Sequence, residues 1–294
     1  MTGAEPVRLI ATCWTTAGDA APQRGDERSP IELRERIETA AAAGWTGFGL
    51  LHADLIAYRD SRGGLAELSA ILRDNGMSQV ELEFLGEWWT ADGRRAASDR
   101  VRADLLSAAR ELGARTVKIA AEIGDAPVDH GMFLAEFDAL ATQALEHGTR
   151  VALEPMPFSS NVPTVDAGAA ILREIANPGA GLCVDIWHVY RAGTPYSAVA
   201  ALPAEMIFVV ELDDGTAAPV GSLWDDTIDR RRYPGRGAFD VPGFVRAVRE
   251  SGYDGGWGVE IISAEHRARP IAESLPQLAS ETRALLAEPV GSTH

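Results

Sequence analysis

Four acidic residues end apolar runs in the second half of the chain, and their type and placement suit metal binding. The residues are Glu154, Asp185, Glu211 and Glu260. An ionised carboxylate at the edge of an apolar core is costly unless it is paired or bound to a metal. Because the runs do not bring four bases with them, a divalent cation is the simplest common partner. A local salt bridge or a helix cap would explain any one acid alone, but four in consecutive runs favour one shared metal site.

Other polar and aromatic residues follow or interrupt the apolar runs and are candidates for substrate contact. His188 lies shortly after Asp185, and His52 follows another run, so either imidazole can bind a substrate oxygen or move a proton. Lys118 interrupts the run 116–120, which indicates either a cation facing the acids or an edge residue that reaches solvent. Four aromatic residues near the ends of runs can cover the apolar side of a sugar or pack in the core: Trp14, Trp88, Trp89 and Phe158.

A repeated unit indicates how these residues are positioned. Helix-like segments end in glycine and lead directly into β-rich runs at Gly44, Gly76, Gly113, Gly148 and Gly252. Glycine suits the left-handed position after a helix, and the runs that follow resemble buried parallel strands. The first four glycines are 32, 37 and 35 residues apart. This spacing is typical of a strand and helix unit, repeated about eight times along the chain.

Eight strands are predicted, which is the number that closes a (β/α)8 barrel. They lie near residues 8–14, 46–51, 79–85, 115–120, 150–155, 181–186, 206–212 and 257–262. In this fold the carboxyl ends of the strands meet at one mouth, so the four acids should converge there. We predict a single (β/α)8 barrel domain over residues 1–294, with short flexible termini. The segment 29–32 has the composition of a capping box, and Asp240 is predicted to cap a second helix.

Composition argues against several kinds of partner. The chain has 43 acidic and 27 basic residues, giving a net charge of -16, which repels a nucleic-acid backbone. No apolar run approaches the roughly 20 residues that span a bilayer, so no membrane role is expected. Cys13 and Cys183 are too few for a disulfide framework, and the N-terminus lacks the features of a secretory signal. We therefore expect a reduced, cytoplasmic protein.

Motifs at the predicted strand ends resemble the xylose isomerase-like barrels, a superfamily of sugar phosphate isomerases and epimerases. The motifs are LEPMP at 153–157, CVDIWH at 183–188, VELDD at 210–214 and GYDGGWGVE at 252–260, with GFGL at 47–50 and VELEFL at 80–85. The likeness runs over nearly the whole chain and is more specific for the fold than for the substrate. It implies that the metal ligands come from strands five to eight.

The seventh strand departs from the family pattern, which has a His or sometimes a Gln as the ligand. Glu211 stands there instead. Either Glu211 binds the metal and completes an all-oxygen site, favouring Mn²⁺, Mg²⁺ or Co²⁺ over Zn²⁺, or it hydrogen-bonds nearby. We favour direct binding, with Mn²⁺ as the metal, because an unpaired buried acid is harder to explain. The family also often places a substrate-orienting arginine in the loop that holds residues 230–232, and we predict that it is Arg232. The alternative is that these arginines form a solvated patch that balances the acidic surface.

The predicted function is isomerisation or epimerisation of a keto sugar or polyol-like substrate through an enediolate. As the family implies, Glu154 and Glu260 would remove and return the proton, and His188 would assist. A lyase of the inosose or dehydroshikimate dehydratase type uses the same enediolate and is the main alternative. A non-catalytic sugar-binding subunit and a zinc-dependent DNA-repair endonuclease are weaker alternatives. The absence of a Gly-x-x-x-x-Gly-Lys loop favours an unphosphorylated substrate, and assembly into a homo-oligomer stays open.

Overall fold

The computed structural model describes residues 7–61 and 63–287, which form a closed barrel of eight parallel strands. The strands are β1 (Leu9–Ala11), β2 (Gly47–Leu51), β3 (Gln79–Leu85), β4 (Thr116–Ala120), β5 (Arg150–Glu154), β6 (Ala180–Asp185), β7 (Ile207–Leu212) and β8 (Trp257–Val259). Each strand pairs with the next along the chain, and β8 pairs with β1. The predicted (β/α)8 barrel is therefore confirmed. The predicted flexible termini lie outside the described residues.

Helices connect the strands and cover the outside of the barrel. They are α1 (Cys13–Thr16), α2 (Leu33–Ala42), α3 (His52–Ser61), α4 (Gly64–Asp74), α5 (Arg95–Leu112), α6 (His130–Glu146), α7 (Val165–Ile175), α8 (Ile186–Arg191), α9 (Tyr196–Ala200), α10 (Leu223–Asp229), α11 (Val241–Glu250), α12 (Ala264–Arg267) and α13 (Ile271–Ala287). The longer ones bury one apolar stripe, as in α6, where Phe133, Phe137 and Leu140 are fully buried at helical spacing. Within the described ranges, none of the helices is both long and apolar enough to cross a membrane.

The first and last strands are shorter than predicted, because the chain turns early at the barrel mouth. After β1 the backbone enters α1 at Cys13, and after β8 the segment to Ser263 leads into α12. Hydrogen bonding between neighbouring strands continues past β8, since the Glu260 amide donates to the Leu212 carbonyl at 3.1 Å. Glu260 is thus held at the rim beside β7.

Helix ends follow the predicted glycine pattern. The five glycines at the predicted helix ends have φ between 66° and 85°, the left-handed region that glycine adopts most readily. Asp240 caps α11 as predicted, with its carboxylate accepting from the Gly243 amide at 2.9 Å. The predicted capping box at 29–32 is wrong, since α2 begins only at Leu33. The Ser29 hydroxyl instead accepts from the Ile31 amide in a local turn.

Candidate metal and active site

Strand register brings the four predicted metal ligands together at the carboxyl end of the barrel. Glu154 and Asp185 are the last residues of β5 and β6, and Asp185 is paired in register with Glu211 of β7. Glu260 follows β8, the neighbour of β7. One oxygen from each of the four carboxylates lies within 4.8 Å of the others, and each residue is at most 4% exposed. The predicted convergence is therefore present.

Lys118 joins this cluster from inside the barrel. Side chains alternate between the two faces of a strand, and Lys118 of β4 points inward, where its side chain is 1% exposed. Its Nζ donates to Glu211 Oε1 at 2.7 Å and Glu260 Oε1 at 3.1 Å, and lies 2.7 Å from Glu83 Oε2. Of the two interpretations of Lys118, the structure shows the cation that faces the acids.

Arg231, in the loop after β7, is the second buried cation. Its Nη1 lies 2.5 Å from Asp185 Oδ2, 2.5 Å from Asp213 Oδ2 and 3.2 Å from Glu260 Oε2. Arg232, the arginine predicted from the sequence, is exposed, and its Nη1 donates to the Arg236 carbonyl at 3.5 Å.

An antiparallel backbone bridge explains why the arginine that enters the site is one residue earlier than predicted. Asp214 and Arg232 exchange two backbone hydrogen bonds of 2.9 and 2.8 Å. Successive side chains on an extended segment point to opposite sides, so fixing Arg232 outward turns Arg231 inward. The bridge joins two positions within one long loop, which the sequence pattern alone does not reveal.

Burial and crowding shift the carboxyl pKa values in opposite directions. Burial and the neighbouring Glu260 raise the pKa of Glu211 well above its usual range, although Lys118 opposes the shift. Burial raises the pKa of Glu83 to about 7, again against the effect of Lys118. For Asp185, burial acts upward, but Arg231 and hydrogen bonds outweigh it, and the pKa is lowered. The raised pKa values of Glu83 and Glu211 show that burial and the neighbouring acids penalise charged carboxylates here, even beside the two fixed cations.

The residues present fit a divalent metal ion. The sequence-based premise that the acids lack basic partners is wrong for three of them, because Lys118 or Arg231 contacts Asp185, Glu211 and Glu260. Even so, in the described part of the chain five buried carboxylates share these two cations, namely Glu83, Asp185, Glu211, Asp213 and Glu260, and Glu154 adds a sixth buried carboxylate beside them. A dication would reduce the surplus charge, and the compact set of carboxylate oxygens is the donor chemistry that hard metal ions prefer.

A cavity of about 170 Å³ opens above the acids. Its polar lining includes Glu83, Glu154, His188, Arg231 and Glu260, and its apolar walls include Trp14, Met156, Phe158, Trp224, Ile228 and Ile262. Of the four candidate ligands, only Glu154 and Glu260 line the cavity, whereas Asp185 and Glu211 lie beneath it. Two of the candidate metal ligands are thus positioned to meet a bound molecule.

His188 lies beside Glu154 at the cavity. Its Nε2 is 3.3 Å from Glu154 Oε1 and 3.9 Å from Asp185 Oδ2. An atom of His188 and one oxygen from each of these two acids also lie within 4.8 Å of one another, so His188 is a possible additional ligand. Its Nδ1 is buried and has no hydrogen-bond partner among the described residues.

Trp14 and Phe158 line the cavity, whereas Trp88, Trp89 and His52, also candidates for substrate contact, do not, and Trp89 packs against Trp88. Trp88 is fully buried in the core, where its Nε1 donates to the Ala120 carbonyl at 2.8 Å. His52 begins α3 and pairs with Asp104 of α5 at 3.0 Å, away from the cavity lining. Both residues come after strand ends, but their side chains turn towards the surrounding helices.

The structure adds residues to the site that the sequence interpretation did not single out. The spacing of Glu83 and Asp213 is a signal that sequence reasoning could have used. Glu83 lies two positions after Glu81, and Asp213 lies two positions after Glu211, so the period of two places the members of each pair on the same, inner face. Trp224 lies in α10 within a long connection, and no periodicity in the sequence marks it as a cavity residue.

Among curated proteins, this chain is similar to 3-dehydroshikimate dehydratases and inosose isomerases. It is 28% identical over 244 residues to a 3-dehydroshikimate dehydratase of Pseudomonas aeruginosa, covering 81% of this chain and 37% of that protein. It is 29% identical over 128 residues to an inosose isomerase of Halalkalibacterium halodurans, covering 43% of this chain and 44% of that protein. The chain thus spans less than half the length of these relatives.

Solved structures and family models agree on the fold. A structure of the IOLI protein with a bound zinc atom superposes with a TM-score of 0.80 at 18% identity, covering 96% of this chain and 98% of that one. The family model of xylose isomerase-like TIM barrels matches residues 37–281. The chain therefore belongs to the xylose isomerase-like TIM barrel family.

Proposed function

We propose that the protein is a divalent-metal-dependent isomerase or epimerase of a small keto sugar or polyol-like substrate. The observation that supports this most directly is the position of Glu154 and Glu260, which line the cavity and also belong to the four-carboxylate set. Proton removal from a carbon and proton return to the same or a neighbouring carbon require an acid or base at each step. Two carboxylates on one cavity supply both.

The four-carboxylate set would hold the metal ion. When bound, a divalent ion supplies Lewis acidity, which polarises a substrate carbonyl and makes the adjacent C–H bond more acidic. Because every donor in the set is a carboxylate oxygen, we propose Mn²⁺ as the metal, with Mg²⁺ or Co²⁺ as substitutes. Direct binding by Glu211 is part of this proposal.

Neighbouring side chains hold the two reacting carboxylates in place. His188 Nε2, at 3.3 Å, fixes Glu154 Oε1, while Lys118 and Arg231 hold the two oxygens of Glu260 at 3.1 and 3.2 Å. One glutamate removes the proton from one face of the substrate, and the other returns it from the opposite face. Return to the same carbon gives epimerisation, and return to the adjacent carbon gives isomerisation.

Apolar cavity walls would exclude water from the reacting carbon. Phe158 contacts both His188 and Trp224 in edge-to-face arrangements, with ring centroids 5.9 Å apart in each pair. Trp14 adds a further aromatic surface to the same cavity. Aromatic faces bind the C–H surfaces of sugars and leave the hydroxyl groups to polar partners such as His188 Nδ1.

Dehydration is the second candidate reaction. The observation that favours it is coverage, since the dehydratase relative aligns over 81% of this chain and the isomerase relative over 43%. The same proton removal would be followed by loss of a β-hydroxyl group as water. His188, which lines the cavity beside Glu154, can donate the proton that the leaving oxygen needs.

Proton exchange from D₂O tests both reactions. Protein reconstituted with Mn²⁺ would be incubated with ketoses, inososes and 3-dehydroshikimate, and deuterium incorporation would be followed by NMR. We expect Glu154→Gln and Glu260→Gln to reduce exchange by roughly 10²–10⁴-fold, the usual contribution of a positioned acid or base. The exposed Glu38→Gln is the matched control and should keep the wild-type rate.

The products distinguish the two candidates. Deuterated isomers or epimers support the first reaction, and a dehydrated product with a new ultraviolet absorbance supports the second. Full exchange by chelator-treated protein would contradict the metal requirement. Wild-type exchange by both glutamine variants would contradict the assignment of the glutamates.

A further inference from the structure

A second cavity lies between the loops that follow β7 and β8. Its volume is about 260 Å³. Its lining contains Tyr233, Ser263, His266, one acid, Glu265, and four arginines: Arg231, Arg232, Arg236 and Arg269. Four guanidinium groups around one small cavity repel one another unless anions compensate them.

Carboxylates among the described residues compensate only two of these arginines. Arg231 pairs with the acids of the candidate active site, and Arg236 pairs with Glu281. Among the described residues, neither Arg232 nor Arg269 forms a salt bridge with a carboxylate. The cavity therefore presents two cationic groups that lack a charged partner in this part of the chain.

Neutral hydrogen bonds fix Arg269 in place. Its Nη1 donates to Tyr233 Oη at 3.1 Å, and its Nη2 donates to Gln277 Oε1 at 2.9 Å. His266 Nε2 lies 2.8 Å from the Thr15 carbonyl, which can only accept, so Nδ1 accepts from the Tyr233 hydroxyl at 2.9 Å. This chain of donors orients Arg269 and leaves its charge uncompensated.

Backbone hydrogen bonds join the two loops that form the cavity. The Arg231 amide donates to the Ile262 carbonyl at 3.3 Å, and Arg230 forms an antiparallel bridge with Ser263. The loop positions are therefore set before any ligand arrives. A site built in advance loses less conformational entropy on binding.

We propose that this cavity binds a small oxyanion, a phosphate or carboxylate group, between Arg232 and Arg269. Guanidinium groups match the geometry of such anions and form charge-assisted hydrogen bonds with them. Because Arg231 also lines the candidate active site, the anion is either a free ion or part of a molecule that reaches from one cavity to the other.

Calorimetric titration with inorganic phosphate tests the site without any need for turnover. We expect saturable binding by the wild-type protein and at least roughly tenfold weaker binding by Arg269→Ala and by Arg232→Ala, since each loses a charge-assisted hydrogen bond. Arg230→Ala removes the same charge from the same loop, but Arg230 does not line the cavity. The affinity of this variant for phosphate should therefore stay within about twofold of wild type. Circular dichroism checks folding, and the exposed Arg232 provides a variant with little effect on packing.

A second arm identifies the source of the anion. Fructose 6-phosphate and fructose would be titrated into the wild-type and Arg269→Ala proteins. Tighter binding of the sugar phosphate than of phosphate, lost in the variant, assigns the anion to a larger molecule, whereas equal binding assigns it to a free ion. Both results support the site. The proposed site would be overturned by the absence of saturable phosphate binding, or by an equal loss of phosphate affinity in Arg230→Ala and Arg232→Ala. This holds whatever the outcome of the exchange experiments.

Discussion

The two cations beside the acid cluster differ in where they come from and in what surrounds them. Lys118 belongs to β4, lies inside the barrel and contacts Glu83, Glu211 and Glu260. Arg231 belongs to a loop, lines the cavity and contacts Asp185, Asp213 and again Glu260. Lys118 is thus enclosed by protein, while Arg231 borders the space that a substrate or water can enter. Glu260 is the carboxylate that both cations share.

This difference indicates a division of tasks between the two cations. An enclosed charge has only its protein partners, so its loss leaves the acids around it without compensation. A charge beside a cavity can be replaced in part by solvent, and it can also contact a ligand. We therefore expect Lys118 to matter most for stability and Arg231 to matter for both stability and substrate binding.

The largest expected effect is that of Lys118→Met on stability. Methionine has a similar length but no charge, so Glu83 and Glu211 would lose their shared cation in a buried site. Breaking a buried pair by removing one partner typically costs about 3–5 kcal/mol. Urea denaturation of chelator-treated protein measures the free energy of unfolding. A loss below about 1 kcal/mol would show that the lysine does not compensate these acids.

The same contrast shows what could be predicted from the sequence. Side chains on strands follow a period of two, and neighbouring strands fix the register. The convergence of Glu154, Asp185 and Glu211 could therefore be predicted, and a cation facing the acids was one of the two interpretations of Lys118. Glu83 was within reach of the same reasoning. The direction of a loop side chain depends on contacts that are distant in sequence, as the backbone bridge between Asp214 and Arg232 demonstrates.

The second-largest expected effect is that of Arg231→Met on stability, compared with the same substitution at the adjacent Arg232. Arg231→Met should lower the free energy of unfolding by about 2–3 kcal/mol, less than Lys118→Met, because water in the cavity can solvate the carboxylates that are left. Arg232→Met is the matched control, and its effect should stay within about 0.5 kcal/mol, as for most exposed positions. The same denaturation experiment measures both variants. Equal losses of unfolding free energy in the two variants would mean that the side chains of Arg231 and Arg232 do not point inward and outward as described.

The smallest expected effect is the coupling between Lys118 and Glu211, which measures how much of the lysine's contribution to stability depends on that glutamate. Glu211→Gln removes one of the two carboxylates that lie 2.7 Å from Nζ and keeps nearly the same shape. Residues in direct contact in one ion-pair network usually show interaction free energies of about 0.5–3 kcal/mol. We expect the double variant Lys118→Met/Glu211→Gln to be more stable than the sum of the two single losses predicts, by about 1–2 kcal/mol. A double-mutant cycle in urea, without metal, measures this difference. Strict additivity would mean that Lys118 compensates Glu83 and Glu260 instead. The buried carboxylate of Glu211 would then need another explanation.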